Sequence, residues 1–168
     1  TEEYDGTAWT AVNGMLTPAD GMASGGTQTS ALSGFGYTHP ADINTTEEYN
    51  GTSWSNVNNG NTARRDAGCC GTQTSCMAMG GYTPSPAVRN DVESYDGTSW
   101  TIENNLINDR WDSGGIGNTT SCIVGGGDPG NLTSTEEYDG TCFSAVNAMG
   151  TGQAKMANIG TAMGAALF

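Results

Sequence analysis

The sequence predicts an all-β fold in which a four-stranded antiparallel sheet recurs along the chain, and three observations predict it. The phrase Thr1-Glu2-Glu3-Tyr4-Asp5-Gly6-Thr7-Ala8-Trp9 returns as Thr46–Trp54, Val92–Trp100 and Thr135–Phe143, with its tyrosines 45, 46 and 43 residues apart. A second phrase keeps that period: Gly26-Thr27-Gln28-Thr29-Ser30-Ala31 returns as Gly71–Cys76 and Gly117–Cys122, with Gly160-Thr161-Ala162 as a worn fourth copy. The centre of the first phrase is Asp-Gly or Asn-Gly between β-forming residues, the strongest short hairpin signal. Self-similarity at a fixed period of this length marks a repeat architecture.

Each element follows from these phrases. The hairpins fall near 1–12, 46–57, 92–102 and 135–146. A two-residue turn at Asp5-Gly6 sets Tyr4 opposite Thr7 and Glu2 opposite Trp9, so Glu2, Tyr4, Thr7 and Trp9 share one face. The recurring aromatics Tyr4, Trp9, Tyr49, Trp54, Tyr95, Trp100, Tyr138 and Phe143 are then the structural core, packing each hairpin on the next sheet. Phe143 keeps the apolar contact and loses the indole donor. Strand pairs precede the hairpins near 22–36, 65–81, 111–127 and 154–168. In the second unit they read as one strand at 65–70 and another at 71–78. Glycines close each pair (Gly34 and Gly36, Gly80-Gly81, Gly125-Gly126-Gly127) and permit close backbone approach. Four strands per period make the whole of 1–168 one repeat domain of propeller-blade pattern.

Paired glycines closing a strand, followed by Tyr and then Trp in the next hairpin, resemble the kelch motif. The likeness extends to the propeller repeats of galactose oxidase and to kelch-like repeats of some phage and surface proteins, and it covers nearly the whole chain. It departs at one point: Tyr and Trp stand five apart here, closer than is usual for the family. The resemblance implies a β-propeller. The chain opens in a Tyr hairpin and closes in a strand pair, so residues 1–12 are expected to pair with 156–168 in a four-bladed ring. The alternative is a segment of a larger propeller. Because the sequence starts at Thr1 inside a motif, a processed or partial product of a longer chain is also expected.

Composition narrows the function. Five Lys and Arg against 18 Asp and Glu leave a net charge of −13, which repels phosphate backbones and anionic lipid, so nucleic acid and membrane insertion are excluded as expectations. Cysteines 69, 70, 76, 122 and 142 are odd in number and contain no Cys-x-x-Cys pair, so neither a metal nor another cofactor is expected. His39 is the single histidine, without a nucleophile-elbow pattern near it, and it cannot supply a two-histidine copper site. Glu2, Glu47, Glu93 and Glu136 recur in every copy, which fits bonding to a neighbouring sheet or to Arg64 or Arg110. A catalytic carboxylate pair is expected once. No enzyme activity is therefore expected.

The connections between the strand pair and the hairpin vary in length and chemistry (37–44, 82–90, 128–134), and variable loops on a repeating scaffold carry binding residues. The candidate ligand-binding set is Tyr37, His39, Tyr82, Arg89, Arg110, Trp111 and Asp128. Trp111 stands where the preceding copy has Arg65, placed to stack on a sugar or a partner's Arg or to fill a gap between sheets. The expected function is a structural or adhesion module, extracellular or on a virion surface. It assembles with copies of itself or binds a surface glycan or protein. An intracellular kelch-type adaptor is the alternative, and a propeller enzyme fragment comes third.

Overall fold

A computed structural model describes residues 1–85 and 87–156. All regular structure among them is β: β1 (Glu2–Tyr4), β2 (Trp9–Ala11), β3 (Ala23–Thr27), β4 (Ser30–Gly34), β5 (Thr46–Tyr49), β6 (Trp54–Val57) and β7 (Gly68–Thr72) in the first half. The second half holds β8 (Ser75–Tyr82), β9 (Val88–Tyr95), β10 (Trp100–Ile102), β11 (Gly114–Asn118), β12 (Ser121–Gly125), β13 (Thr135–Tyr138) and β14 (Phe143–Val146). They form an N-terminal hairpin β1–β2 and three four-stranded antiparallel sheets, β3–β6, β7–β10 and β11–β14, each ordered as in the sequence. The expected strand pair near 154–168, and its pairing with 1–12, lie outside the described residues.

Two sequence expectations need correcting. The Gly-Thr-Gln-Thr-Ser phrase is not one strand but the turn of a hairpin, with Thr72 paired to Ser75 and Gly71 to Cys76. The Asp-Gly hairpin is not a two-residue turn, because Tyr4 pairs with Trp9 and Glu2 with Ala11. Its cause is the Asp5 carboxylate, whose Oδ1 accepts from Thr7 N at 2.7 Å and Ala8 N at 2.8 Å. Side-chain capture of two amides opens the loop to four residues, and Gly6 alone takes a positive φ, at 96°. Asn50, Asp96 and Asp139 repeat the arrangement.

The revised register sets Tyr and Trp directly opposite, with ring centroids 5.2, 5.1 and 5.2 Å apart for Tyr4–Trp9, Tyr49–Trp54 and Tyr95–Trp100, and 4.8 Å for Tyr138–Phe143. In the last three hairpins the face carrying them looks back to the preceding unit, whereas Tyr4 and Trp9, expected in the core, are exposed. Tyr49 Oη donates to Glu3 Oε1 at 2.6 Å and Tyr95 Oη to Glu48 Oε1 at 2.8 Å. Both phenols are held above their ordinary pKa, Tyr49 by that bond first and Tyr95 by burial first. Trp54 Nε1 donates to Thr1 Oγ1 and Trp100 Nε1 to Thr46 Oγ1. Where the third interface has Phe143, the acceptor position is Val92, and the two share one apolar cluster.

The recurring glutamates complete each junction. Glu47 accepts from Leu16 N and Thr17 N at 2.8 and 2.7 Å. Glu93 accepts from Asn61 N, Thr62 N and Arg64, and Glu136 from Ile107 N, Asn108 N and Arg110. The glutamates thus tie loop amides of one unit, and in the last two junctions an arginine, to the sheet of the next.

The core lies between sheets, in one cluster with Met77, Met79, Val92 and Val124 and a second with Leu32, Phe35, Ala78 and Trp100. Strand β7 packs between β3 and β11. A Cβ at Gly115 would lie 2.8 Å from Cys69 O, so this close approach of β11 to β7 requires glycine.

Candidate binding face

The connections that lead into each sheet and those between its second and third strands meet along one edge, as isolated antiparallel bridges. These are Asp20 with Tyr37, Arg65 with Tyr82, and Trp111 with Asp128. A backbone relay joins them: Asp66 N donates to Gly21 O at 2.8 Å, Asp112 N to Asp66 O at 2.8 Å, and Met156 N to Asp112 O at 3.2 Å. Because the relay steps one unit at a time, side chains at equivalent positions line up across the three sheets.

The resulting row is aromatic with an arginine at its centre. The Arg65 guanidinium sits 4.5 Å from the Tyr37 ring centroid and 4.6 Å from that of Tyr82. Tyr82 and Trp111 are 5.6 Å apart, and Tyr37 and His39 4.4 Å. Arg65 Nη1 donates to Asp42 Oδ1 at 2.5 Å, which fixes the guanidinium between the rings. Tyr37, Arg65, Tyr82 and Trp111 are all half-buried, their edges still open to solvent. His39 extends the row to an exposed end, bonded to Asp20 at 2.8 Å. Asp128 ends the other side, its carboxylate accepting from Gly130 N and Asn131 N. Carboxylates flank the row: burial pushes Asp66 and Asp112 above the usual carboxylate pKa, and for Asp66 repulsion from Asp112 adds to it.

Five of the seven residues expected to bind ligand therefore come together: Tyr37, His39, Tyr82, Trp111 and Asp128. Arg89 stands apart on β9, paired with Asp91, beside a pocket of about 230 Å³ lined also by Thr62, Glu93 and Asn105. Arg110 is a correction. It is fully buried, bonded to Glu136 at 2.7 Å and to Gly126 O and Ser134 O. Both terminal nitrogens of this guanidinium are taken up within the fold and Nε is buried, so no donor faces a ligand. Arg65 was missed as a site residue, although its equivalence to Trp111 was the signal that places it in the row.

The five cysteines are free thiols. Cys69 and Cys76 lie with sulfurs 3.0 Å apart in the buried core, and the Cys76 bond and burial hold the Cys69 thiol well above its ordinary pKa. Among the described residues no group of three or more His, Cys, Asp or Glu side chains is placed to hold a metal ion. No protein-family model matches the chain, and comparison with curated proteins finds no match.

Proposed function

We propose that the chain is a non-enzymatic structural or adhesion module of a virion or cell surface, assembling with its own copies and binding a glycan or protein ligand through the row around Arg65. The observation that carries this is the row itself. The recurring polar side chains hold one sheet to the next, whereas the row changes along the chain at its two positions (Asp20, Arg65 and Trp111; Tyr37, Tyr82 and Asp128), and Tyr37, Arg65, Tyr82 and Trp111 keep open edges. Tyr, Trp and Arg are the residues that dominate binding surfaces, and flat rings flanked by carboxylates suit a sugar's apolar face and hydroxyls. We further propose that the sheets are blades of a propeller of the kelch type. Support comes from β7 packing between β3 and β11 and from the backbone relay stepping around one edge.

A glycan array and a partner screen with the Trp111→Ala and Tyr82→Ala variants test the binding reading. The expected result is a loss of at least about tenfold in affinity from either variant, as for truncation of a central aromatic anchor. Ligand binding unaffected by both overturns it. The second reading is an intracellular adaptor, in which the five cysteines stay reduced. Mass spectrometry with and without reductant separates the two, since disulfides found in the native protein exclude a reducing compartment.

A further inference from the structure

We infer that the exposed faces of the β1–β2 hairpin and the β13–β14 hairpin are the two halves of one more inter-sheet junction, filled head-to-tail by a second copy of this chain. The inference rests on the proposed self-assembly and names its surface.

Three junctions inside the chain define what such a contact requires. In each, the hairpin tyrosine donates to a carboxylate of the preceding unit: Tyr49 to Glu3, Tyr95 to Glu48, and Tyr138 to Glu103 at 3.3 Å. The third case is informative, because Ser94 stands at the usual glutamate position. Ser94 Oγ donates to Glu103 Oε1 at 2.6 Å and steers that carboxylate to the tyrosine instead. In each junction an asparagine amide of the preceding unit also donates to a carbonyl in the next hairpin turn, all at 2.8 Å: Asn13 to Thr52 O, Asn58 to Thr98 O, and Asn104 to Thr141 O. The glutamate two before the tyrosine accepts from loop amides of the preceding unit, as Glu47, Glu93 and Glu136 do.

Among the described residues, both ends carry the matching parts without a mate. At the first hairpin Tyr4 is 46 % and Trp9 68 % exposed, against 1–2 % for Tyr49, Tyr95 and Tyr138. Glu2 is exposed beside them. At the other end Glu137 holds the position of Glu3 and Glu48, and Asn147 the position of Asn13, Asn58 and Asn104; both are exposed. Thr135 lies deeper, at the position of the tryptophan acceptor, its hydroxyl donating to Asn147 O. Gly150 and Thr151, also exposed, stand where the loop amides reach the glutamate. Docked head-to-tail, Tyr4 meets Glu137, Trp9 meets Thr135, Asn147 meets Thr7 O, and Glu2 meets the 150–151 amides. The contact is heterologous, so copies form a closed ring or a linear string. Each chain carries −13, so added salt screens repulsion and strengthens the assembly.

Sedimentation and native mass spectrometry of the full chain, across concentration and salt, test this. Wild type is expected to associate. Trp9→Asp and Glu137→Lys, both at exposed positions, are each expected to weaken association at least tenfold with an unchanged circular dichroism spectrum. Mixed together, they are expected to stop at a dimer, since each retains the one face the other lacks. A wild-type monomer overturns the inference, whether hydrogen exchange finds the Trp9 strand open or protected by closure within the chain. So does assembly insensitive to Glu137→Lys. Ligand binding that still depends on Trp111 in a monomer leaves the binding reading standing and removes only this one.

Discussion

Phe35 occupies a backbone position that the other units give to glycine. Its φ is 63°, beside 66° at Gly80 and 64° at Gly126, and a bulky side chain in that region is strained. What holds it there is the space left by a second glycine. A Cβ at Gly60 would lie 2.3 Å from Phe35 Cε1, whereas the later units have Leu106 and Met149 at that place. Phe35 fills from just after β4 a volume that Met149, its Cε 3.2 Å from a Cβ at Gly126, fills from the loop in the last unit. Phe35→Gly alone is expected to cost about 2 kcal/mol, a cavity term of about 3–5 partly offset by relief of backbone strain. Gly60→Leu alone overpacks against Phe35 and is expected to cost about 1–3 kcal/mol. The double variant reproduces the later units and is expected to be more stable than the sum of the single changes implies, by about 1–3 kcal/mol of coupling in a urea-denaturation cycle. An additive result would show that the two side chains do not share one space.

At the scale of the hairpin, the turn acids act as a titratable lock. Amides of Ala8, then Thr7, hold the Asp5 carboxyl below its ordinary 3.8, and the same pattern of bonds lowers Asp96 and Asp139. A depressed folded pKa contributes stability that is present above the unfolded value and lost as pH falls through the folded one. Replacing Asp5, Asp96 and Asp139 with Asn, as Asn50 already stands in the second unit, keeps both amide bonds and removes the titration. The triple variant is expected to lose less stability than wild type between the ordinary carboxylate value and lower pH, measured by thermal melts. Equal acid sensitivity would place the lost protonation sites elsewhere. These same bonds explain why the hairpin was only partly legible in the sequence. Period, strand number and the shared face of Tyr and Trp follow from residue types, but the four-residue loop depends on a side-chain bond that spacing does not reveal. The Thr-Gln-Thr-Ser turn was hidden for a similar reason. It lacks Asn-Gly or Asp-Gly, and its positive φ, 114°, falls on Gly71 one step before the turn. In the row around Arg65, Trp111 is readable as a departure from the repeat, and Tyr37 and Tyr82 as members of connections that vary in length and chemistry. Arg110 was misplaced because only packing tells a buried guanidinium from a surface one.

Across the whole molecule, sheets are joined by buried ion pairs whose two halves are not equivalent. Arg64 Nη1 meets Glu93 Oε1 at 2.6 Å, with both side chains at most 1 % exposed, and Arg64 also lies 4.5 Å from the Phe35 ring centroid. Burial lowers the Arg64 pKa and the Glu93 charge works against that shift. The first junction shows what happens without the cation, since Ala19 stands where Arg64 and Arg110 stand later. There Glu47 is satisfied by the Leu16 and Thr17 amides alone. Glu93 has the corresponding amides of Asn61 and Thr62, and the Asn61 side chain besides. Removing the arginine therefore leaves a carboxylate that still has partners, whereas removing the carboxylate strands a guanidinium and two amides. Arg64→Met is expected to cost under about 2 kcal/mol, near the value of one charged hydrogen bond. Glu93→Leu is expected to cost about 3–5 kcal/mol, the range for breaking a buried pair from one side. Because adjacent units stabilise one another through such junctions, the larger loss is expected to appear as separate unfolding of the sheets on either side, with broadened urea transitions at Glu93→Leu and a single sharp one at Arg64→Met. Equal costs for the two variants would mean that the pair, rather than the amide cradle around the glutamate, is what couples one sheet to the next.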